Sequence, residues 1–135
     1  MTKQKKSSRP TEAELEILQV LWDGGPQTVR EINDKMSAGK KVGYTTTLKL
    51  LQIMTAKGLT LRNETGRTHL YAPSAGMEET RSQLLNRFVD TAFGGSAMSL
   101  VMQALGNHRA SEEEMNQIKE LLSRMEEKSH DHDRQ

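Results

Sequence analysis

The sequence predicts a mainly α-helical chain of 135 residues that contains one β-hairpin. Three short segments in the first 58 residues carry apolar side chains at helical spacing, and the two segments that follow alternate with the two-residue period of strands. Three further helical segments follow residue 76. Three helices closed by a hairpin form the winged helix-turn-helix pattern, in which the tip of the hairpin projects as a wing. The predicted architecture is therefore a winged helix-turn-helix domain followed by a helical domain.

Capping boxes mark the starts of the first two helices. Thr11 is followed three residues later by Glu14, and Thr28 by Glu31, so each pair satisfies two free N–H groups at a helix end. The first helix is predicted to end at the Asp-Gly-Gly-Pro run at 23–26, and the second near residue 37. Their predicted inward side chains are Leu15, Leu18, Leu21 and Trp22 in the first helix, and Val29, Ile32 and Met36 in the second.

The third helix follows a basic link at 40–43, predicted to be flexible, and ends at 57–58. Spacing at 100° per residue directs one face to the core, formed by Thr47, Leu50, Leu51 and Met54. The opposite face has no carboxylate, whereas an ordinary solvated helix face carries some glutamate. Hydroxyl, amide and basic groups bind base edges and phosphates, so this face is predicted to contact DNA.

The hairpin is predicted from segments 59–63 and 68–72, with Gly66 at the turn. Arg67 beside the turn is predicted to bind a DNA phosphate, and Lys40 and Lys41 before the third helix are predicted to do the same. Within the helix, the predicted DNA-binding residues are Tyr44, Thr45, Thr46, Leu48, Lys49 and Gln52. Two alternatives remain open: the threonines at 45–47 would only cap and fill the helix start, and Arg67 would be a solvated turn residue.

The part of the chain after residue 76 is predicted to pair two copies. Helices at 77–93 and 96–105 precede a capping box at Ser111, and the last helix carries apolar residues in steps of three, four and three, as in a coiled coil. The N-terminal domain offers few spare apolar positions to cover these helices, so self-association is expected. The predicted dimer-interface residues are Leu84, Leu85, Phe88, Val101, Met102, Leu105, Met115, Ile118, Leu122 and Met125.

The predicted domain boundaries follow from these segments. A flexible basic arm occupies 1–10, the DNA-binding domain 11–76, the dimerisation domain 77–127 and a disordered tail 128–135. Residues 1–76 carry 12 Lys or Arg against 7 Asp or Glu, whereas residues 77–135 carry 7 against 11. This asymmetry is typical of a chain whose first half faces a polyanion and whose second half faces solvent and protein.

Composition excludes several other classes. The chain has no cysteine and its four histidines lack the spacing of metal ligands, so neither a metal nor a cofactor is expected. It has no Gly-rich phosphate loop and no convincing Ser/His/Asp set, so it is not expected to be an enzyme. The N-terminus does not resemble a secretory signal, and no apolar run approaches the roughly 20 residues of a membrane span. A cytoplasmic location is expected.

Several motifs, in order, resemble the penicillinase repressor family, the BlaI/MecI group of bacterial winged-helix repressors. They are TEAELEIL at 11–18, LW at 21–22, TVREI at 28–32, YTTTL at 44–48, KGL at 57–59, YAP at 71–73, FGGS at 93–96 and SLV at 99–101. The resemblance implies a homodimer on a palindromic operator, with one recognition helix in the major groove of each half-site. It also implies C-terminal helices that interlock between subunits, and repression of a neighbouring operon.

The resemblance further implies a route by which repression is relieved. In some members, a membrane sensor metalloprotease leads to cleavage of the dimerisation helix at an Asn-Phe bond just after the Ser-Leu-Val segment. The matching positions here are Gln103 and Ala104, a departure from that bond. Copper-responsive relatives carry a C-terminal cysteine cluster, which this chain lacks.

Two other classes of function remain as alternatives at this stage. One is a winged helix used only as a protein-interaction module, against which the basic outward face of the third helix argues. The other is a regulator that binds a small ligand between its domains.

Overall fold

Six helices and two strands follow one another in the computed structural model, over residues 9–64 and 66–133, the part of the chain that it describes; side chains are described as far as His130. The bounds are α1 Glu12–Gly24, α2 Val29–Met36, α3 Tyr44–Lys57, β1 Thr60–Asn63, β2 Leu70–Pro73, α4 Met77–Ala92, α5 Ala97–Asn107 and α6 Glu112–Asp133. This order confirms the predicted architecture. The chain forms two compact units that meet within α4, after Asn86, later than the predicted boundary at 76.

Both predicted capping boxes of the first unit are present. The Thr11 hydroxyl accepts from the Glu14 N–H at 3.2 Å, and the Glu14 carboxylate accepts from the Thr11 N–H at 2.9 Å. Thr28 and Glu31 make the same reciprocal pair at 3.1 and 2.9 Å. The first helix ends as predicted at Gly25, whose φ of 75° lies in the region that favours glycine.

One apolar core holds α1, α2, α3 and β2 together. The centre of the buried stripe on α1 is Ile17, whereas Leu15 and Trp22, predicted to face inward, are half-buried at the edge of the core. Leu50 is also half-buried, so the predicted core face of α3 is narrower than expected. The buried apolar residues are Ile17, Leu18, Leu21, Val29, Ile32, Met36, Leu51, Met54 and Tyr71.

The two strands pair antiparallel, with Arg62 directly opposite Tyr71. The second strand begins at Leu70, later than the predicted start at 68. Gln27, in the loop between α1 and α2, adds a short bridge to the hairpin: its N–H donates to the Tyr71 carbonyl at 3.0 Å and its carbonyl accepts from the Tyr71 N–H at 2.8 Å. These two bonds fix β2 to the helices, a contact that the sequence did not predict.

The link between α2 and α3 is fastened at Val42, although the sequence predicts a flexible segment. The Asn33 side-chain amide and the Ser37 hydroxyl both donate to the Val42 carbonyl, at 2.9 and 3.2 Å. Asn33 itself is buried. A buried amide that bonds a loop carbonyl sets the direction in which the chain enters α3.

Both later helices of the second unit extend beyond their predicted ends. α5 continues through Gly106 to Asn107, because one glycine in a final turn costs a helix only about 1 kcal/mol. α6 runs to Asp133, which corrects the prediction of a disordered tail from 128 onward. No glycine or proline occurs between residues 112 and 133, so nothing in that sequence stops the helix. None of the helices in the described residues is long and apolar enough to cross a membrane.

Candidate nucleic-acid interface

The outward face of α3 is exposed over its whole length. Tyr44, Thr45, Thr46, Lys49 and Gln52 are all exposed, and Leu48 is half-buried at the margin. α3, described in full, contains no Asp or Glu. Its N-cap is Gly43, and no described side chain caps it, so the N–H groups of its first turn keep their partial positive charge toward solvent.

The position of α3 is held by contacts at both of its ends. At the start, the Val42 contacts described above hold the preceding loop. At the other end, Gly58 adopts the left-handed conformation with φ of 85°, and Lys57 forms an ion pair with Glu14. The inward face is locked by Leu51 and Met54, which are fully buried.

A groove of about 550 Å³ lies between α3 and the hairpin. The start of α2 contributes Arg30, and the hairpin contributes Arg62, Arg67 and His69. None of the described residues that line the groove is acidic. The other lining residues are Thr28, Val29, Tyr44, Leu48, Gln52, Thr68 and Tyr71. Three guanidinium groups in one concave surface make a site suited to phosphate oxygens.

Arg62 is the most constrained of these arginines. It shares the inner face of the hairpin with Tyr71, its cross-strand partner, and donates a hydrogen bond to the Tyr71 hydroxyl. It also pairs with the Glu64 carboxylate. The Tyr71 hydrogen bond and then the Glu64 interaction raise the pKa of Arg62. The Tyr71 side chain is buried, so its hydroxyl is a fixed acceptor for the Arg62 guanidinium.

The structure brings together only part of the predicted DNA-binding set. Tyr44, Leu48, Gln52 and Arg67 line the groove, and the remaining α3 residues lie on the adjoining face. Lys40 is turned to α1, where its Nζ lies 3.3 Å from the Glu16 carboxylate in an exposed ion pair. Lys41 is exposed and does not line the groove.

Sequence reasoning missed Arg30, Arg62 and His69. Arg30 lies inside a capping-box motif, which predicts the start of a helix and carries no signal for DNA binding. Arg62 belongs to β1, where it lies opposite Tyr71 and so shares a face with it, and His69 directly precedes β2. Strand alternation alone does not show which residues lie beside α3. The register of the hairpin is needed to place Arg62 opposite Tyr71.

The second unit leaves most of its apolar side chains exposed. α5 contains no buried residue, and none of the described side chains of α6, as far as His130, is buried. Leu84 and Ile118 are half-buried. The other predicted interface residues are exposed in the single chain: Leu85, Phe88, Val101, Met102, Leu105, Met115, Leu122 and Met125. Gln103 and Ala104 are exposed within α5.

No group of three or more His, Cys, Asp or Glu side chains in the described residues could hold a metal ion. The side chains at 131–133, part of the His-Asp-His-Asp run at 130–133, lie outside the described residues.

Comparison with known proteins assigns the chain to a family. The family model described as penicillinase repressor matches residues 10–124, a span that includes the winged helix, its groove and most of α6. The chain belongs to the penicillinase repressor family. The members of this family are described as repressors.

Individual relatives of the chain agree with that assignment. Transcriptional regulator BlaI from two strains of Mycobacterium tuberculosis is 35% identical over 81 residues, which is 59% of this chain and 59% of the relative. The matched part thus spans less than two thirds of those regulators. The penicillinase repressor of Bacillus licheniformis is 25% identical over 118 residues, covering 87% of this chain and 92% of the relative.

Among solved structures, a homodimeric winged helix-turn-helix DNA-binding domain from Mycobacterium bovis is similar to this chain. The TM-score is 0.49 at 18% identity, and the match covers 80% of this chain and 84% of that chain.

Proposed function

We propose that this repressor acts as a homodimer on a palindromic DNA operator, with one α3 helix in the major groove of each half-site. The observation that carries the proposal is the continuity between the carboxylate-free face of α3 and the arginine-lined groove beside it. A major groove admits one helix, and the phosphates that flank it then lie beside the hairpin.

The residues divide by chemistry into two groups. Thr46, Lys49 and Gln52 are exposed on α3 and present hydroxyl, ammonium and amide groups suited to base edges. Arg30, Arg62 and Arg67 line the groove and are assigned to phosphates, which carry no sequence information. We also assign the exposed Lys41 to a phosphate, as predicted from the sequence. Lys40 must first leave Glu16 to reach one.

Dimerisation through the second unit is supported by its exposed apolar surface. Phe88 and Val101 are each about half exposed, at 51% and 46%, and Met102 is 66% exposed. A monomeric protein rarely leaves so many large apolar side chains in water. The apolar residues of α6 from Met115 to Met125 are spaced by three, four and three residues, as in the contact surface between two helices of a coiled coil. A second copy of the chain therefore covers these faces in the proposed repressor.

Relief of repression is assigned to proteolysis within α5, in a pathway that starts at a membrane sensor metalloprotease. Gln103 and Ala104 occupy the positions of the bond expected from the family, and both are exposed in the single chain. A protease needs an extended substrate, so α5 must unwind locally before cleavage. The proposed site of action is the cytoplasm, where the operator DNA lies.

In vitro selection with the full chain and a randomised duplex pool tests the proposal. The expected product is an inverted repeat whose half-site centres are about one or two helical turns apart, roughly 10 or 20 base pairs. Light scattering of the free protein is expected to give the mass of two chains. Recovery of unrelated sequences, with equal binding of any duplex, would contradict sequence-specific repression and leave a protein-interaction module as the better interpretation.

A further inference from the structure

Glu64 lies where the hairpin separates two grooves. The groove toward α3 contains the buried Tyr71 and the three arginines. A second groove on the opposite face of the hairpin, of about 820 Å³, is lined by Glu64 together with Pro26, Leu61, Asn63, Leu70 and Ala72. Arg62 lines both grooves. Its guanidinium is thus shared between a neutral acceptor on the DNA-facing side, the Tyr71 hydroxyl, and an anionic acceptor on the other side, the Glu64 carboxylate.

A carboxylate that pairs with an arginine occupies the same donors that a phosphate would use, because both anions accept two parallel N–H bonds from the planar group. The Arg62 and Glu64 side chains remain partly exposed, at 38% and 53%. Ion pairs this exposed exchange partners at small cost. A phosphate that approaches from the α3 side can therefore displace Glu64, while Tyr71 keeps the guanidinium in the groove.

We propose that Glu64 is an internal competitor of DNA for Arg62, which lowers the affinity of the repressor for its operator. On unrelated DNA, α3 makes no fixed base contacts, and the phosphates do not settle at the position that replaces Glu64. On the operator, base contacts by α3 fix the register of the duplex and bring one phosphate to Arg62. The operator complex therefore loses the free energy of the ion pair, whereas a complex with unrelated DNA keeps the pair. This inference rests on the proposed function and concerns the affinity of the same site.

The test compares the full-length wild type with Glu64→Gln on two probes, the duplex recovered by selection and a scrambled duplex of the same composition. Glutamine keeps the size of the side chain and removes the charge. The selected duplex is expected to bind the variant about fivefold more tightly, the equivalent of one exposed ion pair. The scrambled duplex is expected to gain less, so the ratio of the two affinities rises.

General charge repulsion between Glu64 and DNA would also raise affinity, and a second background separates the two causes. The Arg62→Ala variant lacks the guanidinium for which Glu64 and a phosphate compete. Adding Glu64→Gln to it is therefore expected to change the affinity for DNA little. Through-space repulsion predicts the same gain or a larger one in that background, because the arginine no longer neutralises the carboxylate. Far-ultraviolet circular dichroism and thermal melting check that all four proteins are folded.

Several results would overturn the inference: no gain on the selected duplex, an equal or larger gain on the scrambled duplex, or a full gain in the Arg62→Ala background. These results leave the proposed function intact as long as the wild type prefers the selected duplex. Loss of that preference in the wild type itself would remove the proposed function, and this inference with it. A gain on the selected duplex that exceeds the gain on the scrambled duplex and depends on Arg62 supports the inference.

Discussion

The ammonium of Lys57 lies 2.7 Å from Oε1 of Glu14, which joins the last turn of α3 to the first turn of α1. Glu14 is only 3% exposed and Lys57 is 22% exposed. The same carboxylate oxygen accepts the Thr11 N–H and so completes the first capping box. One buried carboxylate therefore starts α1 and anchors the far end of the helix that is proposed to face DNA.

Replacing Lys57 by Met should destabilise the protein, because the buried Glu14 carboxylate then loses its cation. We expect a loss of about 1–3 kcal/mol in the free energy of unfolding, less than for a fully buried pair since Lys57 is partly exposed. Urea denaturation at one fixed protein concentration measures this loss in the free energy of unfolding. The matched control is Lys40→Met, which breaks the exposed pair with Glu16 and should cost no more than about 1 kcal/mol. Equal losses in both variants would refute the structural role of Lys57.

Replacing Gln27 by Ala should loosen the attachment of the hairpin to the helices. The buried amide donates to the Val20 and Gly25 carbonyls, each at 3.0 Å, and its oxygen accepts from Lys35 at 2.9 Å. Loss of these partners is expected to lower the free energy of unfolding by about 2–4 kcal/mol. Gln19→Ala, an exposed change in α1, is the control and should stay within about 0.5 kcal/mol of wild type. Protection of the Tyr71 amide from hydrogen exchange should fall in Gln27→Ala alone.

The two classes of DNA contact should separate by their salt dependence. Thr46→Ala or Lys49→Ala should cost about 1–3 kcal/mol on the operator and relax sequence preference. Arg67→Ala should weaken binding to all duplexes and lower the slope of log affinity against log salt by about 1. Lys128→Ala removes the same charge from exposed α6 and should change neither quantity. Filter binding at two or more salt concentrations measures the affinities of all four variants. If Thr46→Ala and Arg67→Ala have indistinguishable effects, the division into base contacts and phosphate contacts is wrong.

Charges placed in the α6 seam should separate the two subunits. The double variant Ile118→Asp and Leu122→Asp introduces two carboxylates that cannot be buried against a second copy. We expect a monomer in light scattering and much weaker operator binding. Asn116→Asp with Ser123→Asp adds the same charge at exposed positions of the same helix and should remain dimeric. A dimer of unchanged affinity in the first variant would place the interface elsewhere.

Local signals explain why so much of the fold followed from the sequence. The capping pairs at Thr11 and Thr28, and the glycines that end α1 and α3, act over a few residues and need no knowledge of the rest of the chain. Alternation predicted the hairpin for the same reason, although it placed the start of β2 too early. The spacing of apolar residues in α3 identified its outward face in advance, because Leu51 and Met54 lie on the opposite side.

Contacts between distant residues were not predictable in the same way. Lys40 looked like a phosphate ligand, yet it meets Glu16 from another helix. Gln27 looked like a loop residue, yet its backbone pairs with Tyr71. Arg62 gains its place in the groove from the register that sets it opposite Tyr71. Such partners depend on how separate elements pack, and no spacing within one segment encodes them.

The absence of buried side chains in α5 makes the proposed repressor sensitive to its own abundance. When the fold of a subunit depends on a second copy, the fraction of paired chains varies with total concentration. Below the dissociation constant of the dimer, halving the number of chains reduces the pairs about fourfold by mass action. Growth that dilutes the protein, or a brief pause in its synthesis, would then open the operator more steeply than the fall in copy number alone.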